Sequence, residues 1–190
     1  MTGGVAVPDT MAESRLWKPA LDYIQRWTGI ALPETKYRGL GEFLDRFDTS
    51  ADFGVVAAIL ESDAAERRTF LDAVTINETY FFREQRHFAV LRDGLLETLA
   101  KGISGSASTL RVWSAACSTG EEAWSLAMLG AHVLGPDGVT VYAGDINPAA
   151  LARCSDARYG PNSRREDGAG FSHLYDAYMV QEGRDLVAGN

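Results

Sequence analysis

One stretch of the sequence, from Leu110 to Leu134, constrains the fold more than any other. It starts with the compact apolar run Leu110 to Ala116, passes through a turn of small residues, and continues as a helical pattern from Glu121 to Leu134. A second strand-like run, Val139 to Ala143, follows after a short break. Strands that alternate with helices in this way are typical of a parallel sheet with helices packed on it. We therefore predict an α/β fold for the C-terminal part of the chain.

The N-terminal part has a different pattern, because its apolar residues recur at steps of three and four, as on one face of a helix. Gly29 and Pro33 mark the end of the first helix. Four helices are predicted from the apolar sets Trp17, Leu21, Ile24 and Trp27; Leu40, Phe43, Leu44 and Phe47; Val55, Val56, Ile59 and Leu60; and Phe70, Leu71 and Val74.

The boundary between the two parts is predicted from a change in composition. An amphipathic stretch from Phe88 to Leu99 leads into Lys101 to Ser108, a segment rich in Gly and Ser that is typical of a flexible connection. We predict a helical domain at residues 1–88, a linker that contains a helix at 89–108, and a partial α/β domain at 109–190.

The composition excludes several classes of function. Of the 190 residues, 46% are hydrophobic and 23% are charged, which is enough apolar material for one or two small cores. The formal net charge of -8 argues against a broad nucleic-acid surface, since such a surface is basic. We expect no membrane insertion and a cytoplasmic location, because no long apolar stretch or signal peptide is visible. Cys117 and Cys154 lie far apart and the three histidines are not spaced as ligands, so we predict no metal.

The turn after the first strand has the features of a nucleoside site. Its residues, Trp113 to Glu122, are mostly small, which lets a ligand approach the backbone. In doubly wound sheets the ligand lies beyond the strand ends, and an acidic residue at the end of the next strand suits a ribose diol. Asp145 follows the second strand and is the candidate for that position.

The charge of this turn favours one class of ligand. A dinucleotide site needs several glycines and free helix-terminal amides for its pyrophosphate, whereas Gly120 is the only glycine of the turn. Glu121 and Glu122 would repel phosphate but are compatible with S-adenosylmethionine (SAM), which has a sulfonium and an ammonium group. The alternative is purely structural: Thr119 and Glu122 form a capping box, and Glu121 complements the helix dipole.

Three blocks of sequence together resemble the chemotaxis receptor methyltransferase (CheR) family. They are Thr75 to Glu84 (TINETYFFRE), Ser114 to Glu122 (SAACSTGEE) and Gly144 to Asn147 (GDIN), in the family's order and spacing. Three separate blocks are far more specific than one glycine motif. The resemblance covers most of the chain. It implies a small all-helical N-terminal domain followed by a Rossmann-like SAM-dependent methyltransferase domain.

The resemblance also implies a set of site residues. Arg83 matches the family's candidate for orienting the substrate near the transferable methyl group, and Asp145 matches the acidic residue expected on the ribose. Helix capping by Asn77 or Thr79, and simple solvation of Arg83, are the alternative interpretations. The cofactor-binding residues assigned in this way are Asn77, Thr79, Arg83, Ala115, Glu121, Asp145 and Ile146.

The acceptor implied by the family is a glutamate side chain on the cytoplasmic helices of methyl-accepting chemoreceptors. Family members use basic residues of the helical domain to recognise the receptor, and Lys36, Arg38 and Arg46 are the candidates here. Glu42 and Asp45 lie among them, so an ordinary mixed-charge surface is the alternative. After methyl transfer, SAM would be converted to S-adenosylhomocysteine.

Family members continue beyond the point that corresponds to Val187, with further strands and a second cofactor segment. We expect one of three explanations: the chain is a piece of a longer protein, a second chain completes the sheet, or it is a shortened relative without catalysis. Two functional classes therefore stay open, a receptor glutamate methyltransferase and a non-catalytic module that binds SAM or a partner helix. Methylation of a small molecule is disfavoured, because the helical domain would then have no purpose.

Overall fold

A computed structural model describes residues 15–48, 52–102 and 109–189 of the chain. By their contacts these residues form two compact units, which divide between Ile76 and Asn77. Each unit has a hydrophobic core of its own.

The first unit is helical, as predicted. Its elements are α1 (Trp17–Thr28), a 3₁₀ turn (Glu34–Lys36), α2 (Tyr37–Leu44), α3 (Phe53–Ser62) and α4 (Ala64–Val74). The predicted apolar residues provide most of its buried core, which includes Ile24, Leu40, Phe43, Val56, Leu60, Phe70 and Val74.

The limits of these helices follow from local chemistry. α1 ends at Gly29, whose φ of 75° is a left-handed conformation that glycine adopts without strain. The Asp63 side chain accepts hydrogen bonds from the amides of Ala65 (2.8 Å) and Glu66 (3.2 Å), and so caps the start of α4. The side chain of Asp52 caps α3 in the same way.

The second unit combines helices with two small sheets. Its elements are α5 (Gln85–Val90), a kinked segment (Leu91–Leu95), α6 (Leu96–Lys101), β1 (Leu110–Ala115), α7 (Glu121–Leu134), β2 (Val139–Gly144), α8 (Pro148–Asp156), β3 (Arg158–Tyr159), 3₁₀ turns at Pro161–Ser163 and Glu166–Phe171, α9 (His173–Tyr178), β4 (Met179–Glu182) and β5 (Asp185–Ala188). The alternating order of β1, α7 and β2 confirms the predicted α/β class.

The sheet that positions the candidate site is a parallel pair. β1 and β2 run side by side in register from Leu110 opposite Val139 to Ala115 opposite Gly144. α7 packs against this pair at Gly130, where an added Cβ would lie only 2.8 Å from the Cβ of Val139. Because side chains alternate along a strand, the opposite face is open, and Trp113 on that face is 73% exposed.

The chain after β2 differs in detail from the prediction. The sequence predicts a helix that Asn147 and Pro148 begin and that Gly160-Pro161 would end. Asn147 caps α8 in agreement with this, but the helix already ends at Asp156, because Ala157 turns the backbone to a φ of 49°. For Tyr178 to Val180 and Leu186 to Val187 the sequence predicts a short hairpin or irregular strands. The chain forms the hairpin of β4 and β5 there, and β3 joins it in an antiparallel sheet of order β3-β5-β4. A polar loop is predicted from Arg164 to Gly170, but the structure has a 3₁₀ turn at Glu166–Phe171.

Residues 77–88 group with the second unit, although the sequence assigns them to the helical domain. Phe81 and Phe82 are fully buried and Phe88 is 5% exposed, all three in the core of the second unit. Phe82 stacks on Phe171 with ring centroids 4.8 Å apart. These contacts place the division at Asn77. The domain limits given from the sequence, 1–88, 89–108 and 109–190, stay a prediction.

Across the residues that the structure describes, no helix is both long and apolar enough to cross a membrane.

The close approach of α7 to β2 gives a test of the fold. Alanine normally stabilises a helix by about 1 kcal/mol relative to glycine, but here the added methyl group would press on Val139. We expect Gly130→Ala to lower the free energy of unfolding by about 1–3 kcal/mol, as overpacking does, measured by urea denaturation. Ala131→Gly, on the same helix, is the control for helix propensity alone. A more stable Gly130→Ala protein would contradict this packing.

Candidate functional site

The turn between β1 and α7 has an unusual backbone. Ala116 and Ser118 adopt φ values of 59° and 49°, and Gly120 one of 100°. Left-handed backbone at non-glycine residues is uncommon and clusters at functional sites. At Gly120, an added Cβ would also contact the Cys154 thiol and lie 2.7 Å from the Tyr159 hydroxyl, so this position requires glycine on two grounds.

Asp145 lies where the sequence predicts, directly after β2, and it fixes this turn. One carboxylate oxygen accepts the amide of Ser118 at 2.7 Å, and the other accepts the amide of Asn147 at 2.8 Å. Each oxygen keeps a further lone pair, since a carboxylate can accept about four hydrogen bonds. Asp145 can therefore accept from the hydroxyls of a ribose without leaving the turn. The adjacent Ile146 is 44% exposed and Ala115 is exposed, so both are accessible to a ligand.

Glu121 is the most buried acid of the site, with 4% of its surface exposed. Its two oxygens accept hydrogen bonds from the Thr119 hydroxyl at 2.6 Å and from the Ser163 hydroxyl at 2.7 Å. Glu122 is exposed and accepts from the Ser114 hydroxyl at 2.7 Å. The capping-box alternative is therefore wrong, because Gly120 takes the N-cap position and Thr119 bonds to Glu121.

Burial and backbone hydrogen bonds explain why the segment from Asn77 to Glu84 mixes aromatic and polar residues. The aromatic side chains are buried, while two backbone amides anchor the segment from opposite sides. The amide of Phe81 donates to the Ser163 carbonyl at 2.8 Å, and that of Phe82 donates to the Ser125 hydroxyl at 2.9 Å. Asn77 is exposed and Thr79 is half-buried.

Arg83 is exposed and lies beside a cavity of about 480 Å³. Its guanidinium donates to the Glu78 carbonyl at 2.8 Å and lies 6.0 Å from the centre of the Tyr80 ring. The cavity is lined by Arg83, Glu84, His87, Phe88, Leu91, Val112, Trp113, Glu122 and Leu126. The predicted cofactor residues Asp145 and Glu121 are not among these lining residues.

The three basic residues predicted for receptor contact lie in the first unit. Arg38 donates to Glu42 at 2.8 Å, and Arg46 donates to Glu66 at 2.6 Å. Lys36 ends the 3₁₀ turn and is partly buried. Exposed ion pairs of this kind contribute little to stability. The positive charge of Arg38 and Arg46 is therefore offset locally by acids.

Both cysteines lie at this turn: Cys117 is part of it, and the Cys154 thiol lies next to Gly120. The pKa of the Cys117 thiol is raised to about 11, mainly by burial and to a smaller extent by the neighbouring Cys154 and Asp145. Burial also raises the pKa of Cys154. Both thiols are therefore neutral at pH 7, and neither is activated as a nucleophile. Among residues 15–48, 52–102 and 109–189, no three His, Cys, Asp or Glu side chains are grouped as metal ligands, and the prediction of no metal stays a prediction.

These features define a nucleoside-binding class of α/β protein. A strand-turn-helix unit carries a fixed aspartate beyond β2, and the turn has carboxylates in place of a glycine-rich phosphate loop. Residues 77–181 match the family described as CheR methyltransferase, SAM binding domain. The chain belongs to this methyltransferase family.

The chain is also similar to curated members of the family. It is 34% identical to a chemotaxis protein methyltransferase of Listeria monocytogenes, over 67% of this chain and 50% of that protein. It is 41% identical to the chemotaxis protein methyltransferase of Escherichia coli, over 57% of this chain and 36% of that protein. A probable biofilm formation methyltransferase of Pseudomonas putida is 38% identical, over 61% and 27% respectively. The chain thus spans about half, or less, of the length of these relatives.

Sequence reasoning missed two hydroxyl groups in the site. Ser125 accepts from Phe82 and donates to the Glu121 carbonyl at 2.6 Å, and Ser163 donates to the Glu121 side chain. Ser125 is fully buried on an apolar helix. A lone serine at such a position needs a hydrogen-bond partner, so the sequence could have indicated it. Ser163 lies in a polar stretch, and no local signal distinguishes it.

The raised pKa of Cys117 predicts a specific pH dependence. In the unchanged chain, the rate of Cys117 alkylation by iodoacetamide, followed at that residue by peptide mass spectrometry, should keep rising until about pH 11, because the thiolate is the reactive form. The same chain unfolded in urea should level off near the ordinary pKa of 9.0. Circular dichroism at each pH confirms that the chain is folded. A plateau near pH 9 in the folded protein would contradict the assigned environment.

Proposed function

We propose that this chain binds SAM beside the turn between β1 and α7, and that it methylates glutamate side chains of chemoreceptors, with S-adenosylhomocysteine as the product. One observation carries the proposal: the Asp145 carboxylate is fixed beyond β2 by two backbone amides while each oxygen can still accept a ligand hydroxyl. Membership of the CheR methyltransferase family supports it.

The residues of the turn fit SAM better than a nucleotide. Asp145 would hold the ribose. Glu121 is buried and accepts hydrogen bonds from two hydroxyl groups, so its carboxylate suits the ammonium group of the ligand. A phosphate would meet two carboxylates, Glu121 and Glu122, at the same helix start, where their charge is repulsive. Asn77, Thr79, Ala115 and Ile146 are proposed to complete the cofactor contacts.

When bound, SAM supplies a methyl group on a positively charged sulfur. A glutamate acceptor has an ordinary pKa of about 4.3, so it is already a carboxylate at neutral pH and needs no general base. Placement is then the main task of the protein. Arg83 is proposed to orient the acceptor, because a guanidinium can hold a carboxylate with two parallel hydrogen bonds. Its exposure leaves the guanidinium accessible to an acceptor.

The acceptor is proposed to be a helix in the cytoplasmic part of a receptor, which would place this protein in the cytoplasm. Lys36, Arg38 and Arg46 are proposed to contact it. Arg38 and Arg46 are paired with Glu42 and Glu66, so these pairs would have to exchange for pairs with acidic residues of the receptor helix. Such exchange costs little for the Arg38 pair, because exposed ion pairs contribute little to stability.

Cofactor binding can be measured without knowing the acceptor. Calorimetric titration of the 190-residue chain with S-adenosylhomocysteine should give saturable one-to-one binding. Asp145→Asn should weaken binding by tenfold or more, since a hydrogen bond to a charged group is worth about 1.5–3 kcal/mol. Asp156→Asn, at the end of α8, is the matched control and should bind as the unchanged chain does. Absence of binding by a folded chain would refute the cofactor half of the proposal.

Methyl transfer tests the role of Arg83. With saturating labelled SAM and receptor-containing membranes, Arg83→Ala should lose at least about 100-fold in transfer rate, because precise placement of the acceptor is lost. Arg83→Lys should transfer methyl groups faster than Arg83→Ala but more slowly than the unchanged chain, since lysine cannot make the paired hydrogen bonds. Arg86→Ala, one turn along the chain, is the control. Binding of S-adenosylhomocysteine without any transfer would instead support a non-catalytic SAM-binding module.

A further inference from the structure

Ser163 contacts both of the segments that are proposed to hold the cofactor, and it does so with two different groups. Its hydroxyl donates to a carboxylate oxygen of Glu121 at 2.7 Å. Its backbone carbonyl accepts the amide of Phe81 at 2.8 Å. Glu121 begins α7, and Phe81 lies in the segment that contains Thr79 and Arg83. One residue therefore links the turn after β1 with the segment before α5.

The Glu121 carboxylate has an unusual set of partners. Glu121 is 4% exposed, and each of its oxygens accepts one hydroxyl, from Thr119 and from Ser163. Within the described part of the chain, none of the ion pairs involves Glu121. Because burial of an unpaired charge is costly, a cationic group of a ligand would stabilise this carboxylate.

The position of Ser163 is itself well determined. Its amide donates to the Gly160 carbonyl at 3.1 Å in the short 3₁₀ turn Pro161–Ser163, where proline restricts the backbone. A little further on, an added Cβ at Gly168 would lie 2.6 Å from the Phe81 carbonyl, so the two segments touch through their backbones. The backbone of Ser163 is thus held in place, and its hydroxyl can orient the Glu121 carboxylate.

We propose that Ser163 is a positioning residue for the cofactor: its hydroxyl orients the Glu121 carboxylate toward the ammonium group of SAM. This inference rests on the proposed function, and it assigns Ser163 to the amino-acid end of the ligand and not to the nucleoside end. Asp145, on the turn's other side, serves the ribose. The two ends of the ligand are therefore recognised by separate residues, which makes their contributions separable.

The test compares two ligands that differ at one end. S-adenosylhomocysteine has the amino-acid group, whereas 5′-methylthioadenosine has the same nucleoside without it. We expect Ser163→Ala to weaken S-adenosylhomocysteine about tenfold, which is ~1.4 kcal/mol, and to change 5′-methylthioadenosine by less than about twofold in calorimetric titrations. Ser163→Thr, which keeps the hydroxyl, should restore the affinity.

Two further variants separate orientation from a general structural effect. Ser114→Ala removes the matching hydroxyl that donates to Glu122, and it should leave both affinities unchanged. In Glu121→Gln the charge is already lost, so adding Ser163→Ala should cause little further loss, as expected for two residues that act on one contact. If Ser163→Ala does not fold, Ser163→Cys, a near-isosteric weak donor, takes its place in both titrations.

The outcomes are distinct. Equal weakening of both ligands by Ser163→Ala, or no weakening of either, would overturn the role of Ser163 while leaving the proposed cofactor site in place. Failure of the unchanged, folded chain to bind either ligand would overturn the proposed function and this inference together. Selective loss of S-adenosylhomocysteine with rescue by Ser163→Thr would establish the positioning role.

Discussion

The second unit depends on the hydrogen bonds that Asp145 makes across the end of the parallel sheet. By accepting the Ser118 amide, Asp145 stabilises a turn in which two non-glycine residues, Ala116 and Ser118, have left-handed backbone. By accepting the Asn147 amide, it also sets the start of α8. The same carboxylate is the one best placed to meet a ribose. In the proposed site, the side chain that stabilises the turn is therefore also the one that would hold the ribose.

Burial explains why the rest of the site can be rigid. The paired aromatic residues Phe81 and Phe82 anchor the polar segment around them in the hydrophobic core, and Ser125 and Ser163 fix its amides. Exposed residues such as Arg83 then project from a backbone that is held on both sides. If Arg83 contacts the cofactor and the acceptor as proposed, it is supported by buried residues that need not touch either of them.

The strands, the main helices and the position of Asp145 could be predicted because each leaves a local pattern. β1 and β2 are short apolar runs, α7 follows a small-residue turn, and the acid comes directly after a strand. The contact between Ser163 and Glu121 could not be predicted, since it joins residues that are 42 positions apart in sequence. The early end of α8 also left no pattern, because alanine at Ala157 normally favours helix and adopts left-handed backbone only under tertiary constraint. The sequence shows the aromatic residues of the segment before α5, but it does not predict that they are buried in the core of the second unit.

The link between Glu78 and Arg165, 3.0 Å apart across 87 positions of sequence, has a consequence for synthesis of the protein. A chain that is made from its N-terminus can pair β1 with β2 and pack α7 soon after residue 144 emerges, but the segment from Asn77 to Arg83 then waits for its anchors at Ser163 and Arg165. Contacts of such long separation form late and slowly. During that interval the two phenylalanines of the segment lack their ring contacts with Tyr159, Phe171 and Tyr175, so a nascent chain of intermediate length exposes apolar surface that a chaperone would bind.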